Sequence, residues 1–289
     1  MAHTQERAEG AGPFTTRLTR HLATGATSVW ESRRARKRGT LTIRRTGATA
    51  AVQYADEEAL RRLRLLNTVV ATAFTTGATL FVLGAALSQF TAADPLQAAT
   101  VYFVGGLFFN AGAYASLLQT VNAPRRGADA GTLETPRWRW WSYEPLHLDW
   151  LTTFVLFVGT LEFGINLLDS FLQGLTVQQA NRLIWAPDVI GCLLFLTSGH
   201  LALAEVSHGP LRVRPQDLGW WIAAVNQLGS ALFMVAAIAD FTNPRTGTLV
   251  NVGITNWGTL TGAACFVVGG VLQYFERPGS PTRTTGDAA

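Results

Sequence analysis

The chain has 289 residues, 48% of them hydrophobic and only 15% charged, with a formal net charge of +4. Its apolar residues gather in blocks with no polar face, which excludes an ordinary soluble helical fold, because a helix in water keeps one side polar. Its basic residues fall between those blocks, so the positive charge does not form the continuous surface that a nucleic-acid binder needs.

Residues 1–54 are polar, rich in arginine, alanine, glycine and threonine, and show no sustained periodicity. They read as a basic, mostly flexible tail. Within them FTTRLTRHLATGATSVW either lies on a membrane surface through Phe14, Leu18, Leu22 and Trp30 or stays disordered, and LTIRR from Leu41 reads as a short strand with nothing to pair with. ADEEALRRLRLLN then starts a helix, with Asp56 as N-cap and Glu57 and Glu58 in the first turn, where carboxylates favour the helix dipole.

Six apolar blocks follow, at about 67–90, 98–121, 148–172, 183–206, 218–241 and 253–276. Each is long enough to cross a hydrocarbon core of about 30 Å at 1.5 Å per residue. The predicted fold class is therefore all-α: a polytopic membrane helical bundle of six transmembrane helices, paired by short loops into hairpins at 55–122, 143–206 and 214–276. Residues 277–289 read as a disordered tail. Tryptophans cluster where spans begin, at Trp138, Trp140, Trp141, Trp150, Trp220 and Trp221 on one side and at Trp185 and Trp257 on the other, as an interfacial aromatic belt does.

Charge alternates with the spans. Of 23 lysines and arginines, only Arg182 and Arg245 fall in the loops of one set, and the rest lie before span one, between spans two and three, between spans four and five, or after span six. The positive-inside rule then predicts cytoplasmic N- and C-termini in a bacterial plasma membrane. The same face predicts the bilayer and anionic lipid headgroups as partners; a homo-oligomer is compatible with the sequence, and no nucleic-acid partner is expected. Cys192 and Cys265 lie inside spans and read as small buried side chains.

The three hairpins align with one another. Each first helix carries a glycine followed four residues later by phenylalanine, at Gly77/Phe81, Gly159/Phe163 and Gly229/Phe233, and each second helix does the same, at Gly105/Phe109, Gly191/Phe195 and Gly262/Phe266. Seven and eight residues after the second glycine come the small pairs Gly112-Ala113, Ser198-Gly199 and Gly269-Gly270, and fourteen after it come Gln119, Glu205 and Glu276. The pattern predicts three parallel two-helix repeats whose glycines are helix-packing positions, since small residues let backbones approach where lipid gives no hydrophobic drive.

Segments such as SYEPLHLDWLTTFVLFVGTLEFG and RLLNTVVATAFTTGATLFVLGAAL resemble the YrhK-like domain family, small bacterial integral-membrane modules of about two spans. The resemblance covers the three hairpins. It implies a membrane location and a two-span unit, and brings no catalytic residue or ligand with it.

Chemistry-bearing residues inside the spans are few. Glu162, Asn166 and Asp169, spaced i, i+4, i+7, share one helical face. A carboxylate at the depth of Glu162 costs about 2.5–3.5 kcal/mol, so it should face the bundle, pair with a donor or stay protonated. Asn110, Asp188 and Asn226 (with Gln227) are the neighbours that could complete a polar site. His200 has no histidine at helical spacing beside it, and no HExxH, GxSxG or phosphate-loop motif occurs, so neither a metal, a cofactor nor an enzymatic activity is expected. The leading expectation is a multipass membrane protein with a structural or interaction role; the alternative is a transporter or channel for protons or small cations using Glu162.

Overall fold

The computed structural model describes residues 6–91, 94–127, 131–209 and 212–279. Residues 6–54 depart from the expected flexible tail. They form five strands, β1 (Glu6–Ala11), β2 (Phe14–His21), β3 (Thr27–Glu31), β4 (Thr40–Arg44) and β5 (Ala51–Tyr54), in one antiparallel sheet of order β1-β2-β3-β4-β5. FTTRLTRHLATGATSVW is ordered as the β2–β3 hairpin, which overturns the reading of that segment as disordered. LTIRR, expected to be unpaired, lies within reach of two partners and pairs with both β3 and β5.

The reason lies in cross-strand chemistry that composition hides. Thr19 faces Val29 and Leu18 faces Trp30, pairs of β-branched and aromatic residues that suit a pleated surface. Opposite charges meet across the strands, Arg17 with Glu31 at 3.6 Å, Arg17 with Glu9 at 3.6 Å and Arg20 with Glu6 at 3.4 Å. The β3–β4 connection carries a helix, α1 (Ser32–Arg38), which ends where Gly39 takes a left-handed conformation (φ 62°) against Leu60 and Leu63.

The rest of the described chain is mainly helical: α2 (Glu57–Phe90), α3 (Pro95–Val121), α4 (Leu148–Asp169), α5 (Val177–Ala180), α6 (Ala186–Ser207), α7 (Leu218–Ala239) and α8 (Val252–Phe275). A π-helical stretch, Asn181–Trp185, joins α5 to α6. A two-residue ladder, β6 (Arg125–Arg126) with β7 (Leu133–Glu134), lies between α3 and α4. Six of the helices are long and apolar enough to cross a membrane, the fourth running from Val177 to Ser207. Asp56 caps α2 as expected, accepting from the Ala59 amide at 2.7 Å, and Asp94, Asp217 and Asn251 cap α3, α7 and α8.

The six long helices form a closed ring in the order α2, α3, α4, α6, α7, α8, with α8 returning to α2. Hairpin partners cross at the paired glycines. A Cβ on Gly77 would lie 2.8 Å from the Gly105 carbonyl oxygen, one on Gly191 3.2 Å from that of Gly159, and one on Gly229 2.9 Å from that of Gly262. Each glycine also seats the phenylalanine of the partner helix: Gly105 takes Phe81, Gly191 takes Phe163 and Gly262 takes Phe233. The outer surface of the ring exposes Leu83, Leu161, Ile165, Leu193, Leu228, Ile238 and Val268, a continuous apolar girdle.

Candidate functional site

The site is built along the axis of the ring, and begins at the sheet end. In α1, Arg33, Arg36 and Lys37 are spaced i, i+3, i+4, so one helical face carries all three. The β3 and β4 strands hold that face against the ring. It meets one polar residue from each hairpin. Arg33 grips Glu276 with two nitrogens, at 2.8 and 2.7 Å. Arg36 Nη2 donates to Glu205 at 2.8 Å, and Ser32 donates to the other oxygen of the same carboxylate at 2.8 Å. Lys37 Nζ donates to Gln119 Oε1 at 2.7 Å. Gln119, Glu205 and Glu276 are the residues fourteen places after the second glycine of each hairpin.

All seven residues of this latch are buried or nearly so; Glu205 and Gln119 are 0% exposed and Lys37 is 3% exposed. Burial alone would push the Glu276 carboxyl up, but the Arg33 charge and its paired hydrogen bonds, with Lys37 and Arg36 behind, hold it below the usual carboxylate range. Burial, with the Arg36 charge added, pushes the Lys37 amine well below the usual lysine range, against the weaker pull of Glu276 and Glu205. A second lock joins sheet and ring at the end of α6, where His208 Nδ1 lies 3.0 Å from the Thr16 hydroxyl and its Nε2 lies 3.5 Å from Glu31.

Below the latch lies a cavity of about 120 Å³. Arg33, Arg36 and Lys37 border it at one end and Phe109, Phe195 and Phe266 at the other, with Asn226, Ser230, Ser198, Thr152 and Gln273 on its walls. Two of the small pairs of the second helices reach it, through Ser198, Gly199 and Gly270. Ser198 donates to the Thr152 carbonyl oxygen across its hairpin at 2.9 Å; Gly269 receives the Asn226 side chain, Gly199 that of Gln227, and Gly270 the backbone of Thr75.

The axis is then sealed. The six phenylalanines of the glycine steps converge in two layers. Phe81, Phe163 and Phe233 touch one another with ring centroids 5.6 to 6.1 Å apart, and Phe266 of the second layer touches Phe109 at 5.8 Å and Phe195 at 6.5 Å. Contacts between layers, such as Phe81–Phe109 at 5.4 Å and Phe233–Phe266 at 5.3 Å, close the stack. Beyond it, at the far end, a second cavity of about 230 Å³ holds Asp188 and Asp240, with Asn166, Tyr102, Ser170 and Asn256.

The residues expected to form one polar site are dispersed over this frame. Asn166 and Asp188 do share the far cavity; Asn166 donates to the Ile184 carbonyl oxygen at 2.8 Å and so serves the π-helical stretch, where the ordinary i→i−4 ladder is interrupted. Asn110 bridges α3 to α4 by donating to the Thr160 carbonyl oxygen at 3.2 Å, while its own Oδ1 is buried without a partner. Asn226 belongs to the other cavity. Glu162 and Asp169 are partly buried and border neither cavity, and their side chains make no hydrogen bond or ion pair among the described residues.

Sequence reasoning missed Arg33, Arg36 and Lys37. Their signal was present: Lys37 is the sole lysine in the chain, and the three cations share a helical face. What sequence alone lacked was the folded sheet that aims them. Comparison with protein-family models, curated proteins and solved structures finds no match for this chain.

Proposed function

We propose that this is a multipass protein of a bacterial cell membrane with a structural or interaction role, built from three copies of a YrhK-like two-span unit, with both termini in the cytoplasm. The six-helix ring anchors a five-stranded sheet at the inner membrane surface, where the sheet and its arginines meet anionic headgroups or another protein. One observation carries this reading: two layers of phenylalanine close the axis of the ring and α1 covers its inner mouth, an arrangement suited to holding a fixed body. The apolar girdle supports the membrane location. The excess of arginine on the sheet side supports the orientation.

Proteoliposomes test the role. Under an imposed proton or potassium gradient, the purified protein should leak no faster than empty liposomes. Flux above that baseline would sink the scaffold reading, and its loss in Glu162→Gln would identify the carboxylate that carries it. Reporter fusions at residues 95 and 245 should report an external location; a cytoplasmic signal at either reverses the orientation.

A further inference from the structure

The latch has an uneven charge balance. Two of its three cations face carboxylates, Arg36 against Glu205 and Arg33 against Glu276. The third, Lys37, faces Gln119, a neutral amide at the position where the other two hairpins carry glutamate. Among the described residues no carboxylate lies within ion-pair distance of Lys37 Nζ. The amine uses one donor on Gln119, and the Arg36 Nε and Gln119 Nε2 groups beside it are buried without any partner. Lys37 and Arg36, 3% and 4% exposed, both border the 120 Å³ cavity, whose lining includes no carboxylate.

Without a counter-charge, burial disfavours the charged amine and pushes Lys37 towards its neutral form. An anion in the cavity removes that cost and gives the stranded Arg36 Nε a partner. At about 120 Å³ the cavity has room for a halide-sized ion, and a sugar acid is several times bulkier than a halide. Arg33 borders both this cavity and an outer cleft of about 560 Å³ that holds Arg34, Arg38 and Arg214 along with Glu31, Asp217 and Glu276.

We propose that the cavity beneath α1 is a binding site for a small monovalent inorganic anion, held by Lys37 Nζ and Arg36 Nε, which acts as the counter-charge that no carboxylate supplies to Lys37 directly. This goes beyond the scaffold reading and does not depend on it, since a bound counter-ion requires no transport. The groups that face Lys37 are Arg33 and Arg36 of α1, Gln119 of α3, Glu205 of α6 and Glu276 after α8; Asp149 of α4 stands behind Glu205 and Arg36.

The test compares the full-length protein in detergent in sodium bromide and in sodium gluconate at equal ionic strength and pH. At a hundredfold excess over Kd, bromide should raise the thermal midpoint by roughly 5–10 °C over gluconate. Gln119→Glu supplies a built-in carboxylate, so its midpoint should be the same in both salts and no lower than that of the wild type in gluconate. Lys37→Met should likewise lose the difference, and serves if Gln119→Glu does not fold. Crystals grown in bromide should show an anomalous peak within hydrogen-bond reach of Lys37 Nζ. Equal wild-type midpoints in the two salts, a bromide effect that persists in either variant, or anomalous peaks only outside this cavity would each overturn the proposal.

Discussion

Arg33 and Glu276 show at the residue scale how strongly the latch is specified. A planar guanidinium meets a carboxylate with two hydrogen bonds, and both partners are largely removed from solvent. Removing one partner strands the other, which costs about 3–5 kcal/mol at a buried pair. Arg33→Met should therefore lower the thermal midpoint far more than a substitution at exposed Arg34, and Arg33→Lys should recover only part of the loss, because a point charge cannot reproduce the fork. The pair also makes stability depend on pH. The Glu276 carboxyl titrates below its ordinary value of 4.5 in the folded protein. Its contribution is complete above that value and is lost as pH falls through the lower, folded one. A melt series at falling pH should show a steeper loss for the wild type than for Glu276→Gln; parallel curves would remove this carboxylate from the acid response.

At the scale of the element, the glycine-to-phenylalanine step explains why the hairpins cross where they do. A side chain at Gly77 meets the Gly105 carbonyl oxygen at 2.8 Å and the ring of Phe109 at 2.7 Å, and backbone cannot step aside as a flexible side chain can. Gly77→Ala should cost about 1–3 kcal/mol, as overpacking does, and Gly229→Ala a similar amount, because its Cβ would lie 2.9 Å from the Gly262 carbonyl oxygen. Thermal midpoints of the two variants check this; an unchanged midpoint in both would mean that the helices separate freely at these crossings. These steps were legible in the sequence because glycine and phenylalanine recur in register in all six spans. Their inward convergence was not, since spacing along one helix says nothing of which way the ring closes.

For the whole molecule, the sheet and the ring form one body joined by buried charge. Deleting residues 1–54 would take away the cations that face Glu205 and Glu276 and uncover the mouth of the ring. The truncated chain should be markedly less stable than the full one, and adding Glu205→Gln with Glu276→Gln to it should restore part of the loss. A truncated chain as stable as the full one would show that the latch contributes nothing to the ring.

Six spans, their pairing into hairpins and the glycine crossings were legible because each depends on apolar block length or on spacing within one helix, which are local properties. The strand LTIRR was legible as a strand, but its partners were not, because pairing is decided by the segments that lie beside it. Glu162 drew attention by its chemistry alone, and its surroundings place it away from both cavities. The sequence by itself thus determined an all-α set of bilayer-length helices. Only the tertiary structure decided that the arginine-rich N-terminal segment folds and inserts its charges into the ring. The physical reason is distance along the chain: the contacts that order it join residues 82, 169 and 243 positions apart, and such pairings leave no local periodicity to read.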